Sequence, residues 1–310
     1  MIEVTNLTKR FGETTAVDDI SFTVQPGKVT GFLGPNGAGK TTTMRAIAGL
    51  NLPTAGTTAV NGKAMNRHAS PMHELGVLLD ANDVHPGRTA QAHLEALAAT
   101  HGMGRTRVLE VLDATGLADV AGRRAGTFSL GMRQRLGIAA ALLGDPASFI
   151  LDEPINGLDP DGVLWVRRLL RRLADDGRTV FLSSHLMSEM AQVADHLIVI
   201  GRGRIIRDST MAEVLDAGTD QTRVLVKATD PGRLAEALAA PGVTVTRTDS
   251  GGLEVIGLEA VAVFTAAAAQ GNPLHELTTS TASLEEAYMS LTRSAVEYQT
   301  SPDGQEGSTP

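Results

Sequence analysis

Apolar residues at Ile2 and Val4, and again at Ile20, Phe22 and Val24, alternate with polar ones, the period of a strand with one buried face. KVTGFLG (28–34) breaks that rhythm with consecutive apolar positions, which predicts a short buried strand. It runs into a glycine-rich loop and a helix over 41–48. VNGK (60–63) reads as a hairpin turn, because Asn-Gly accepts positive φ. Helices are predicted over 89–101 and 105–115, the first capped by Thr89 and stopped near Gly102. TFSLGMRQRLG (127–137) reads as a helix start with free hydroxyls and no charge to cap it. A strand follows over 147–151, then a helix opened by Asp159-Pro160 and closed by Gly177. Strands are predicted over 178–183 and 196–201, with GRGR (201–204) as a turn.

Beyond about residue 211 the pattern becomes strand 222–228, helix 232–240, strands 243–247 and 253–256, helix 258–269 and strand 274–278. That βαββαβ order predicts a small α+β sandwich of the ferredoxin-like kind. SLEE (283–286) is a capping box that opens a last helix to about 293, and the polar tail 296–310 is predicted to be disordered. The expected division is therefore 1–215, 216–295 and the tail, with no internal repeat.

Composition narrows the function. With 42% hydrophobic residues among 310, the chain has ample material for packed cores. The net charge of −8 and the lack of a basic stripe argue against a nucleic-acid partner. Absence of cysteine removes disulfides, thiolate nucleophiles and Cys-ligated zinc, and fits the cytosol. No apolar run reaches the roughly 18–20 residues of a membrane span, and MIEVTNLTKRFG lacks a signal-peptide core. A membrane role would have to come through a partner.

GPNGAGKT (34–41) fits the phosphate-binding pattern G-x-x-x-x-G-K-[ST] between a predicted strand and helix. Gly34, Asn36, Gly37, Ala38 and Gly39 let successive N–H groups surround phosphate oxygens, and Lys40 reaches the β and γ groups. Thr41 supplies a hydroxyl to Mg²⁺, with Thr42 beside it. SFILDEP (148–154) is an apolar strand ending in two carboxylates: Asp152 is placed to hold the Mg²⁺ shell and Glu153 to polarise an attacking water.

Taken in order, the P-loop, FSLGM, the carboxylate strand, NGLD (156–159) and SSH (183–185) resemble the ATP-binding-cassette family over about residues 1–215. The resemblance implies an α/β P-loop NTPase cassette, with a mixed sheet core, an antiparallel β subdomain and an α-helical signature subdomain. It implies that Ser129 and Gly131 contact the γ-phosphate of ATP held by an opposite cassette, and that Asp159 lies in the loop crossing between the two. His185 corresponds to the switch histidine, and Phe11 to the aromatic that stacks on adenine.

Two positions depart from the family pattern. The common Leu-Ser-Gly-Gly-Gln is here Phe128-Ser129-Leu130-Gly131-Met132, a form that resembles bacterial drug and antibiotic exporters. Asp80 stands where a Gln normally touches Mg²⁺ or its water, so a carboxylate joins the metal set of Thr41 and Asp152.

The resemblance implies an ATPase that uses ATP and Mg²⁺ and pairs with a second cassette, identical or related. It would work at the cytoplasmic face of the membrane through a separate permease, exporting a drug, antibiotic or similar compound. The competing expectation is a soluble cassette ATPase of DNA repair or translation. A single cassette without a heptad insertion, a zinc module or a basic stripe weighs against it. A catalytically dead regulatory cassette is disfavoured because Lys40, Asp152, Glu153 and His185 are all present. The C-terminal region reads as a packing appendage, with regulation as the alternative.

Overall fold

In the computed structural model the described residues are 1–81, 83–214, 223–248 and 251–280. Strands β1 (Ile2–Phe11) and β2 (Thr14–Val24) pair antiparallel and send Ile2, Val4, Ile20, Phe22 and Val24 to one buried face, as their alternation predicts. Strand β3 (Val29–Leu33) is buried at every position and leads into α1 (Lys40–Ile47). β4 (Ala55–Val60) then returns to β1, giving the antiparallel order β2-β1-β4.

The Asn-Gly turn forms, with φ of 50° at Asn61 and 79° at Gly62. It closes only the bridge Val60–Lys63 and not a hairpin, because the chain then tucks Met65 into the core and leaves the sheet. It continues through α2 (Pro71–Glu74) and β5 (Leu75–Leu78).

Helices α3 (Ala90–Ala99), α4 (Arg105–Ala114) and α5 (Leu130–Leu142) pack around Leu94, Leu112, Leu117, Phe128 and Leu136. Thr89 caps α3 as predicted, its hydroxyl accepting from Ala92 N at 3.1 Å. The chain goes on through β6 (Ser148–Leu151), α6 (Pro160–Asp175), β7 (Thr179–Ser184), α7 (Met187–Met190), β8 (His196–Gly201) and β9 (Arg204–Thr210).

These strands form a six-stranded sheet of order β5-β6-β7-β3-β8-β9, parallel except for the edge strand β9. Helix α6 covers one face with Val166, Leu169, Leu170 and Leu173. On the other face Phe32 and Phe181 meet Phe22 of β2, with ring centroids 5.2 to 5.7 Å apart. This aromatic trio joins the antiparallel sheet to the parallel one.

The remaining elements are β10 (Arg223–Ala228), α8 (Pro231–Leu238), β11 (Thr244–Arg247), β12 (Leu253–Ile256), α9 (Ala260–Ala269) and β13 (Leu274–Ser280). They follow the predicted βαββαβ order and build an antiparallel sheet, β11-β12-β10-β13. Its own core holds Val224, Val226, Leu234, Leu253, Val255 and Val263. The expected helix 283–293 and the tail 296–310 lie outside the described residues. No helix among the described residues is long and apolar enough to cross a membrane.

Candidate functional site

Parallel strands carry their C-terminal ends to one edge of a sheet, and loops leaving neighbouring strands there face each other. Here β6, β7 and β3 are adjacent, so the carboxylate pair after β6, the Ser-Ser-His end of β7 and the glycine loop after β3 converge. Between the glycine loop and the carboxylate pair lies a cavity of about 260 Å³, which His185 does not line and meets only through Glu153. The glycine loop contributes Asn36, Gly37, Gly39, Lys40, Thr41 and Thr42 to its lining, and Leu79, Asp152 and Glu153 complete it with Ala16.

The loop needs its glycines for two different reasons. Gly39, at φ 107°, has the backbone of Ala16 so close that a Cβ would fall 2.6 Å from its oxygen. Gly37, at φ 79°, has open space where a Cβ would stand, so its constraint is conformational. Gly34 and Ala38 lie behind the loop: Gly34 O accepts from Lys40 Nζ at 2.7 Å, and Ala38 is buried. Lys40 is itself buried, which pulls its ammonium below the ordinary lysine range, while the charges of Glu153 and Asp152 act in the opposite sense.

The carboxylates are held differently. Asp152 accepts from Thr41 Oγ1 at 2.6 Å and from Ser183 Oγ. Glu153 sits at φ 49°, a left-handed conformation that costs a side-chain-bearing residue about 1–2 kcal/mol. Three neighbours hold it there. Ser183 Oγ accepts from Glu153 N at 3.0 Å, and Glu153 O accepts from Gln134 Nε2 at 3.0 Å and Asn156 N at 3.1 Å. Its carboxylate turns to His185, whose Nδ1 lies 3.0 Å from both oxygens. Since an ionised carboxylate only accepts, Nδ1 carries the proton. Ser183 and Gln134 were not singled out by the sequence. The serine pair before His185 was the available signal for one, and nothing local marked the other.

The other predicted residues are placed apart. Ser129 caps α5, its Oγ accepting from Met132 N at 3.2 Å, and Asp159 caps α6, accepting from Gly162 N at 2.9 Å. Neither lines the cavity, nor does Gly131. Phe11 is half-exposed at the end of β1 with the Lys9 ammonium 4.9 Å from its ring centre, and Leu79 rather than Asp80 faces the cavity. A divalent ion fits this donor set. No group of three or more acidic or histidine ligands is poised for one among the described residues, yet Thr41 and Asp152 offer a hydroxyl and a carboxylate beside the phosphate loop.

Comparison with known proteins identifies the family. The ABC transporter family matches residues 17–156, and a family described only as a domain of unknown function matches 222–285. An uncharacterised ABC transporter ATP-binding protein of Bacillus subtilis, YhcH, is 33% identical over 296 residues, covering 94% of this chain and 96% of its own. The chain belongs to the ABC transporter ATP-binding proteins. It is an ATPase. The bacitracin transport ATP-binding protein BcrA of Enterococcus faecalis is 39% identical over 217 residues, 69% of this chain and 70% of that protein. Among solved structures, a dimeric ATP-binding cassette in a post-hydrolysis state with ADP and Pi superposes with a TM-score of 0.62 at 25% identity. That match covers 68% of this chain and 99% of the other.

Proposed function

We propose that two copies of this cassette, or one copy and a relative, close head to tail around two ATP molecules and drive export through a separate membrane permease. One observation carries the reading: Ser129, Gly131 and Asp159 stand off the cavity lined by Lys40, Thr41, Asp152 and Glu153. A helix start whose capping serine still has its hydroxyl proton to donate, beside a close glycine, suits a phosphate, and a second chain supplies one. Closure then assembles a site that a single chain lacks, which ties hydrolysis to motion.

Within that site the glycine-loop amides and Lys40 bind the phosphates, and Phe11 stacks on adenine. Thr41 and Asp152 would hold Mg²⁺, while Asp80, expected to join them, stays off the cavity wall. Bound there, the ion would supply positive charge against the phosphates. Glu153 takes the proton of the attacking water, a role worth about 10²–10⁴ in rate. His185 orients that carboxylate through Nδ1, which leaves its other nitrogen for the γ-phosphate.

The division into a cassette over 1–215 and an accessory α+β unit over 216–295 is part of the proposal. The separate family match at 222–285 and a strand order in keeping with a ferredoxin-like sandwich support it. The likeness to the bacitracin transport protein supports an antibiotic or similar compound as cargo and a place at the cytoplasmic face of the membrane. The permease selects that cargo.

The test is Glu153→Gln. Phosphate release from ATP is expected to fall at least about 10²-fold, while ATP and Mg²⁺ shift the variant from monomer to dimer in light scattering. A variant that hydrolyses ATP normally, or stays monomeric with ATP at every concentration, refutes the reading.

A further inference from the structure

Leu130 is 41% exposed at the first turn of α5, a place for a polar residue or a glycine, and the mechanism above gives it no task. Its side chain fills the space above Gly157. A Cβ added to Gly157 would overlap Leu130 Cδ2 and fall 2.6 Å from Cγ. Gly157 sits at φ 74°, so the loop between the carboxylate pair and α6 presents bare backbone to the leucine.

A second fastening lies one helical turn further on the same face of α5, where Gln134 Nε2 donates to Glu153 O. Gly131 adds a third point of approach, since a Cβ there would stand 3.4 Å from Leu158 Cδ2 and 3.5 Å from Gly157 O. Leu158 in turn packs against the core under α6. Helix α5 therefore grips residues 153–158 along one face.

We propose that Leu130 and Gly157 form a knob and socket that makes the Ser129 turn and the 153–159 loop one mechanical body. This rests on the two-cassette reading. Glu153 acts on the chain's own nucleotide and Ser129 on the partner's, so a rigid link between them lets the state of one site set the position of the other. The bulk at 130 and the bare backbone at 157 are then a matched pair. Leu130 is a positioning residue that touches no nucleotide.

A double-mutant cycle on the full chain tests this with Leu130→Ala, Gly157→Ala and the combination. Turnover, its ATP dependence and the melting temperature are read for each. Leu130→Ala keeps melting within about 2 °C, because the side chain is exposed. It lowers turnover at least about threefold and reduces the steepness of the ATP dependence. Gly157→Ala loses more, and adding Leu130→Ala to it recovers part of the activity, because the overlap is removed while the strain of a side chain at φ 74° stays.

Ser129→Gly is run beside the cycle. If it collapses turnover while the two alanine effects simply multiply, or while Leu130→Ala behaves as the parent, the link is refuted and the two-cassette reading stands. If Ser129→Gly has no effect, both fall. Activity loss that tracks melting temperature alone also refutes the link, since it would mark Leu130 as ordinary packing.

Discussion

At the scale of single residues the site is made of groups that are costly to place. Glu153 adopts a conformation that glycine favours, and Ser183, Gln134 and Asn156 satisfy its backbone in that state. His185 is tied to both carboxylate oxygens, so His185→Ala frees the glutamate without removing any phosphate contact of the glycine loop. Turnover is expected to drop about 10²-fold, with binding of a fluorescent nucleotide to the isolated chain within about twofold. Gly39→Ala acts the other way: its Cβ meets Ala16 O at 2.6 Å, so the loop must shift. Nucleotide affinity should fall at least about tenfold, and stability by about 1–3 kcal/mol, followed by titration and urea unfolding.

At the scale of elements, two residues expected to face a partner already serve their own helices. Ser129 caps α5 and Asp159 caps α6 through side-chain oxygens. Losing such a cap to alanine costs about 0.5–2 kcal/mol, whereas glycine costs only a few tenths. Ser129→Gly therefore separates the roles: urea unfolding of the monomer should hardly change while ATP turnover collapses. A parallel loss of both would mean that the serine matters only as a cap.

Elements were legible where a local signal marked both ends. Helix α3 shows Thr89 at its start and Gly102 after its end, and α6 has Asp159, Pro160 and Gly177. The pattern does not predict strand β4, because AGTTAV has little apolar periodicity, and its place comes from pairing with β1. No element is predicted between the GRGR turn and residue 211, and that stretch becomes β9 by pairing antiparallel with β8.

At the scale of the molecule, three phenylalanines join the antiparallel sheet to the parallel one. Phe181→Ala empties the centre of that contact and should cost about 3–5 kcal/mol in chemical unfolding, with nucleotide affinity failing in step. The sheet of β10 to β13 has a hydrophobic core that shares no residue with the other three. A chain ending at Val214 should accordingly keep nucleotide affinity within about twofold, and a loss beyond about tenfold would make the C-terminal region part of the cassette's stability.

Sequence alone determined the contiguous chemistry: the glycine loop, Lys40 and Thr41, the Asp152-Glu153 pair, the serine-histidine strand end and the caps of α3 and α6. Each of these works through neighbours a few residues away, so order along the chain carries the information. Tertiary structure decided which loops meet, because that depends on β6, β7 and β3 lying side by side. It also decided what holds Glu153 in place and what Leu130 packs against, since Gln134 and Gly157 reach their partners across a helix–loop contact that local spacing does not encode.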